Sequence, residues 1–326
     1  MKICPGIQNY KTPTGISALH IAALWNAFHA VRTLLSNGID PNSRDAQCQT
    51  PLHYACSDPD NSRAVQMLLK SGADPNVANR AGITPLLMAV RDRSPLMVRA
   101  LLTAHADPSL FIRQESPLAA ACSGADDTAI PAFLIEAGAN VSSPGEGNTT
   151  PLEYALSHNN HSLLALLLLH HASLKFARDR STPLCLAVVK GDIQATRLLL
   201  SAGANPNTMP DNRFGSFQRT ALDMSIEIGS LPLTELLLAH GADVNQIGGD
   251  ISSSPLITAI YLRTTQEDIK LQLVEVLVAH GADVNYEVQG RNSLDFAGEN
   301  KSMVQFLKQH GAKVSSYSAK LHAVVQ

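Results

Sequence analysis

The feature that most constrains this chain is a phrase that keeps returning. Thr50-Pro51-Leu52-His53-Tyr54-Ala55 recurs as Thr84-Pro85-Leu86-Leu87-Met88-Ala89, then as Ser116-Pro117-Leu118, Thr150-Pro151-Leu152, Thr182-Pro183-Leu184 and Ser254-Pro255-Leu256. Weaker copies begin at Ser17, Thr220 and Asn292. The leucines fall at 19, 52, 86, 118, 152, 184, 222, 256 and 294, so nine copies follow one another at a spacing of 32 to 38 residues. A period in this range means that one small supersecondary unit is stacked many times.

A second phrase runs in step with the first. Leu34-Leu35-Ser36-Asn37-Gly38 is matched by Leu68-Leu69-Lys70-Ser71-Gly72, Leu199-Leu200-Ser201-Ala202-Gly203, Leu237-Leu238-Ala239-His240-Gly241 and Leu277-Val278-Ala279-His280-Gly281. Each piece has a physical reading. Thr or Ser before Pro starts a helix, because the hydroxyl caps free N–H groups and Pro fits the first helical position. Leu-x-x-Ala then buries one face of a short helix, and a turn such as Lys190-Gly191-Asp192 leads into a second helix. That helix ends at Gly, which accepts the left-handed conformation of a terminator. Asp74-Pro75-Asn76 and its copies turn the chain outward. One such unit cannot bury its apolar face alone, whereas a stack can.

These two phrases resemble the ankyrin repeat, with its period near 33, its T-P-L-H-x-A signature and its L-L-x-x-G-A-D-x-N close. The resemblance runs in register from about Thr12 to Val314. It implies an all-α solenoid of paired antiparallel helices with β-hairpin finger loops. The expected organisation is a lead-in over 1–11, a repeat domain over 12–314, and a capping helix or half-repeat over 315–326. Leu321-His322-Ala323-Val324-Val325 echoes Leu19-His20-Ile21-Ala22-Ala23, and the polar Lys301, Gln305, Lys308, Gln309 and Lys313 suit a terminal repeat.

The departures are few. His105 and His171 occupy the terminating Gly position in repeats three and five, at a modest left-handed cost. Repeat eight carries about six extra residues between its helices, around Tyr261–Lys270, and the loop after Gly203 holds about five, within Thr208–Gln218. Insertions fall in loops and often mark a binding face, although plain tolerance of loop length explains them as well.

Composition narrows the function. Apolar residues make up 45% and charged residues 16%, so a core can form. The formal charge is −3 and there is no dense Lys/Arg run, which argues against nucleic acid as the partner. Five widely spaced cysteines with no CxxC argue against a disulfide framework and for a reducing compartment. Residues 1–10 have no secretory apolar segment, and the longest pure apolar run, Leu163–Leu169, is far short of the roughly 20 residues that span a bilayer. The expected location is the cytoplasm, or the host cytosol if the chain is a secreted effector.

Chemistry is poorly represented. His158 and His161 have metal-like spacing with His170-His171 one helix on, yet no Cys, Asp or Glu completes a set. Cys48 and His53 are a conceivable nucleophilic pair, the plainer reading being an exposed or half-buried thiol beside a structural imidazole. Gly145-Glu146-Gly147 reads as a turn, and no nucleotide, zinc-protease or hydrolase motif is present. No cofactor and no metal are expected. An enzyme with a cryptic site on the repeat groove is the alternative to a binding protein.

The resemblance also implies where a partner sits: first helices and finger loops line a concave groove. By register, the groove positions are Leu24 and Trp25, Ser57 and Asp58, Arg91 and Asp92, Ser123 and Gly124, Ser157 and His158, Val189 and Lys190, Glu227 and Ile228, and Tyr261 and Leu262. Finger tips would present Arg80, Phe111, Arg113, Arg178, Arg180, Phe214 and Phe217. From these, and Arg263 in the long turn, the partner-binding set is Trp25, Asp58, Arg80, Arg91, Asp92, Phe111, Arg113, Arg178, Arg180, Phe214, Phe217, Tyr261 and Arg263. Aromatic residues and Arg are the types that most often dominate interfaces. The competing reading for Trp25 is a cap over the N-terminal residues, and for the Phe pair a staple of its own loop. The Asn of Asp-x-Asn, as in Asn76, Asn245 and Asn285, closes the turn, and the resemblance makes it a kind of hydroxylation target. The expected partner is another protein or peptide, bound by a monomer.

Overall fold

The computed structural model describes residues 11–110, 115–124, 128–175, 182–209, 219–248, 254–262 and 267–318. The chain divides into two compact units, 1–172 and 173–326.

In the N-terminal unit each repeat supplies a first and a second helix. The first helices are α1 (Ala18–Leu24), α3 (Pro51–Ala55), α5 (Pro85–Arg91), α7 (Pro117–Cys122) and α9 (Pro151–Ser157). The second are α2 (Phe28–Ser36), α4 (Ser62–Lys70), α6 (Pro95–Thr103), α8 (Ala129–Glu136) and α10 (His161–Leu169). Each first helix packs on the next first helix, and α2, α4, α6 and α8 pack in the same order. The C-terminal unit repeats the scheme. Its first helices are α11 (Pro183–Val189), α13 (Ala221–Glu227), α15 (Pro255–Ile260) and α17 (Ser293–Ala297), and its second are α12 (Ile193–Ser201), α14 (Leu231–Ala239), α16 (Glu267–Ala279) and α18 (Lys301–Gln309). Leu19, Leu52, Leu118, Leu152, Leu222 and Leu256 are at most 1% exposed, so the repeated leucine is the spine of both cores.

The helix starts behave as the hydroxyl–proline pairs require. The Thr84 hydroxyl accepts the Leu87 N–H at 3.2 Å, and the Thr220 hydroxyl accepts the Asp223 N–H at 3.1 Å. Asp223 answers by accepting the Thr220 N–H at 3.0 Å, a reciprocal cap. In repeats one and two a histidine takes that part. Nδ1 of His20 and of His53 accepts the N–H of Ser17 and Thr50, each at 3.1 Å. Nε2 must then carry the proton, and it donates to Gln49 C=O at 3.1 Å and to Ile83 C=O at 3.0 Å in the next repeat.

The second helices end as expected. Gly203 has φ +88° and the Ala204 N–H reaches back to Leu199 C=O at 3.0 Å. His105 and His171 hold the same left-handed geometry at φ +63° and +60°, so the exception costs the conformation little. One residue earlier, His240, His280 and His310 each donate Nδ1–H to the carbonyl four residues back, at 2.8 to 2.9 Å, capping orphan helix-end acceptors.

The Asp-x-Asn turns do more than close on themselves. Asp74 Oδ1 accepts the Asn76 N–H at 2.9 Å, which is the turn. The Asn76 side chain then donates to His105 C=O at 3.1 Å and accepts the Asp107 N–H at 2.7 Å, clasping the next repeat. Asn42 clasps Gly72 and Asp74 in the same way. In the C-terminal unit Asn207, Asn245 and Asn285 clasp Gly241 and Asp243, Gly281 and Asp283, and Gly311 and Lys313.

The fingers, expected as β-hairpins, are described in part, and there they form tight turns with bridges such as Lys11–Ser17 and Val288–Arg291. They are joined by single backbone bonds, the Ala46 N–H to Thr14 C=O at 2.8 Å and the Arg80 N–H to Gln47 C=O at 2.7 Å. The extra length of repeat eight was expected as a long turn. From Glu267 onward it is helix: α16 has 13 residues, against 9 for α14. Glu267 and Asp268 in its first turn complement the helix dipole. Lys270 Nζ lies 2.8 Å from Glu267 Oε1, and Glu267 Oε2 accepts Asn300 Nδ2–H at 3.0 Å. The insertion is thus tied to the following repeat.

At the C-terminal end, Ser315 caps a helical turn that starts at Ser316. That turn is held by the Tyr317 N–H to Gly290 C=O at 3.0 Å, the Arg291 guanidinium 4.4 Å over the Tyr317 ring, and the Ser318 hydroxyl to Asp295 at 2.6 Å.

Candidate interaction face

Immediately after Leu-x-x-Ala the first helix runs out of buried face, and its last side chains emerge into solvent. All the groove positions assigned by register are exposed except Gly124 and Leu262, which are half-buried. In the N-terminal unit the row opens with Ile21, Leu24 and Trp25, Trp25 being 75% exposed. The N-terminal residues that a cap would cover, 1–10, lie outside the described residues. The row then turns polar through Ser57–Asp58, Arg91–Asp92, Ser123 and Ser157–His158. Arg91 pairs with Glu115. The Asp58 carboxylate accepts the Asp60 N–H at 2.9 Å, capping the short 3-10 helix Pro59–Asn61, so its charge is partly used within the turn. Burial pushes the Asp92 carboxyl above the usual carboxylate range. Arg80 is exposed at its finger tip.

In the C-terminal unit the row sets large apolar side chains beside the charged Lys190 and Glu227. Val189 is 57% exposed, Ile228 45% and Tyr261 65%. Glu227 pairs with Arg219, and the Tyr261 ring meets Phe296 edge-on at 6.2 Å. Val189 and Ile228 were placed on this face by register but not chosen, because neither is aromatic or charged. Their signal was the large apolar residue at a position where repeats two to five carry Ser, Arg, Asp, Gly or His. Phe111, Arg113, Arg178, Arg180, Phe214, Phe217 and Arg263 lie outside the described residues, as does most of the 208–218 insertion.

The residues considered for chemistry are engaged in the frame. Both ring nitrogens of His53 are bonded, and burial lowers its pKa and that of His20, so neither is free to serve Cys48. Cys56, Cys122 and Cys185 are buried, with burial raising each thiol, that of Cys122 to about 12. His158 Nδ1 is spent on Tyr154 C=O at 2.9 Å. Among the described residues no group of three His, Cys, Asp or Glu side chains is placed to hold a metal, and no helix is long and apolar enough to cross a membrane.

Stacked helix pairs with an exposed row of variable side chains define a repeat scaffold for protein interaction. The chain belongs to the ankyrin-repeat family: the model for ankyrin repeats in three copies matches in overlapping windows from residue 3 to 248. Rabankyrin-5 from Homo sapiens is 27% identical over 206 residues, which is 61% of this chain and 14% of that protein. Protein phosphatase 1 regulatory subunit 27 from Homo sapiens is 45% identical over 53 residues, 16% of this chain and 34% of that one. The chain thus spans a minor part of each of these relatives. The crystal structure of the human ASB11 ankyrin repeat domain superposes with a TM-score of 0.54 at 25% identity, covering 70% of this chain and 99% of that one.

Proposed function

We propose that this chain is a non-catalytic scaffold that holds a partner protein or peptide against its first-helix ends and finger loops. The observation that carries the reading is the set of large apolar side chains left in water at one repeat register: Leu24 and Trp25 in one unit, Val189, Ile228 and Tyr261 in the other. Exposed apolar groups repeated at one register of a repeat mark contact surfaces. The partner-binding set is Trp25, Asp58, Arg91, Asp92 and Tyr261, the finger residues Arg80, Phe111, Arg113, Arg178, Arg180, Phe214 and Phe217, and Arg263 in the turn of repeat eight. The scaffold works as a monomer in a reducing cytoplasm, which the four free described cysteines support, or in a host cytosol if it is delivered there as an effector. The regulatory-subunit name of one relative adds weight to a protein partner.

The test is affinity capture from eukaryotic lysate with cross-linking, comparing the native chain with Trp25→Ala and with Phe214→Ala plus Phe217→Ala. Loss of the captured partner in either variant, at unchanged melting temperature, supports this face. Equal capture by all three sinks it.

A further inference from the structure

The second helices of the N-terminal unit present another surface. Helices α4 and α6 lie side by side. Between them runs a furrow of about 510 Å³ whose apolar lining includes Leu69, Leu96, Ala100 and Ala104. Leu96 follows Pro95 in the first turn of α6 and stands 74% exposed, one of the two most exposed leucines among the described residues. The alanines of α6 leave room beside it. A single exposed leucine is ordinary; a leucine standing over a furrow floored by small residues is a socket for another apolar side chain.

The charge around the socket is of one sign. Lys70 and Arg99 line it, no acidic residue does, and neither cation has an ion-pair partner among the described residues. The other lining side chains are hydroxyls and one amide. An occupant must therefore bring apolar anchors at helical spacing and supply negative charge at the rim. Groove recognition of an amphipathic helix, with anchors at i, i+3 or i+4, and i+7, has this form, and complementary rim charges set which partner is accepted.

We propose that the α4–α6 furrow seats an acidic amphipathic helix of a partner protein, on a face separate from the first-helix row. It does not rest on the proposed function of that row, and the two readings fail separately.

The probe is a displayed library of 16-residue helices with Leu or Ala on one face and either Glu or Lys at each flanking position, panned against the full chain. Clones recovered by the native protein are expected to be Glu-rich. They are expected to lose about tenfold or more in affinity to Leu96→Asp. The double variant Lys70→Glu plus Arg99→Glu is expected to prefer Lys-rich clones. Trp25→Ala, which disables the other face, is expected to bind the same clones unchanged. Because all the altered side chains are exposed, each variant's melting curve should overlay the native one. Lys-rich or charge-indifferent clones from the native chain would overturn the proposal, and so would the absence of any Leu96-dependent clone. Self-association that Leu96→Asp abolishes would assign the furrow to a second copy and overturn it too.

Discussion

The two units use the same frame and dress it differently. Leu52 and Leu222 hold equivalent buried places, and Thr84 and Thr220 cap equivalent helices. Yet one residue past the frame the chemistry diverges: repeats two and three carry Ser57–Asp58 and Arg91–Asp92, whereas repeat one carries Leu24 and Trp25 and the C-terminal unit sets Val189, Ile228 and Tyr261 beside Lys190 and Glu227. Repeat position fixes what must be buried and leaves the next side chain unconstrained. That division explains how one scaffold can offer a polar, charge-paired surface and an apolar surface with no change of fold.

The comparison can be broken most forcefully at the shared frame. Leu52→Ala and Leu222→Ala are each expected to cost about 2–5 kcal/mol in urea unfolding, through lost burial and the cavity left behind. A negligible cost in either unit would show that the frames are not equivalent. Next in size is the clasp. Asn245→Ala hands the exposed Gly281 C=O and Asp283 N–H over to water, at a cost of about 0.5–1.5 kcal/mol. Ser109 makes only a 3.4 Å contact to Gly138 C=O, and Ser109→Ala should stay within about 0.5 kcal/mol by the same measurement.

Smaller effects separate the two faces. Ile228→Ala with Tyr261→Ala is expected to weaken a partner held on the C-terminal row roughly tenfold, independently of salt. Asp58→Ala with Arg91→Ala should act on the N-terminal row in a salt-dependent way, since exposed charges are screened. Titration of binding against sodium chloride distinguishes them, and identical salt slopes would erase the contrast.

The smallest effect is one of pH. Burial holds His20 and His53 neutral, so the folded state binds fewer protons than the unfolded one. Their contribution is complete above the ordinary imidazole value of about 6.5 and is lost as pH falls below it. Asp223 has the opposite sign. Burial pushes its carboxyl up despite the Thr220 hydrogen bonds, so its contribution is complete at low pH and fades as pH rises through the raised value. Hydrogen exchange, corrected for intrinsic rates, should therefore speed up in repeats one and two but not in repeat seven between about pH 7 and 5. His53→Gln, which keeps a reciprocal cap, should flatten the response of repeat two.

The frame was legible because its positions are chosen by backbone geometry. Thr-Pro, the paired leucines and the Gly terminator each answer a local requirement, and even His105 and His171 could be placed at the left-handed position. The insertion of repeat eight could be counted but not shaped. Whether added residues make a loop or lengthen α16 depends on Glu267 finding Lys270 and Asn300, the latter 33 residues away. The clasp was missed for the same reason, since Asn76 looks like a turn residue until His105 and Asp107 come beside it. The exposure of the row was legible and its internal bonding was not: Asp58 looked available, and its carboxylate is occupied by Asp60.

The clasp has a direction. Asn42, Asn76, Asn207, Asn245 and Asn285 each complete backbone groups that lie later in the chain. Trimming from the C-terminal side strands only a side-chain amide, whereas trimming from the N-terminal side strands a main-chain donor and acceptor. A ribosome builds from the tolerant side. When the turn at Asp283 emerges, Asn245 has already been made, so each of these repeats arrives with its closing partner waiting in the nascent stack.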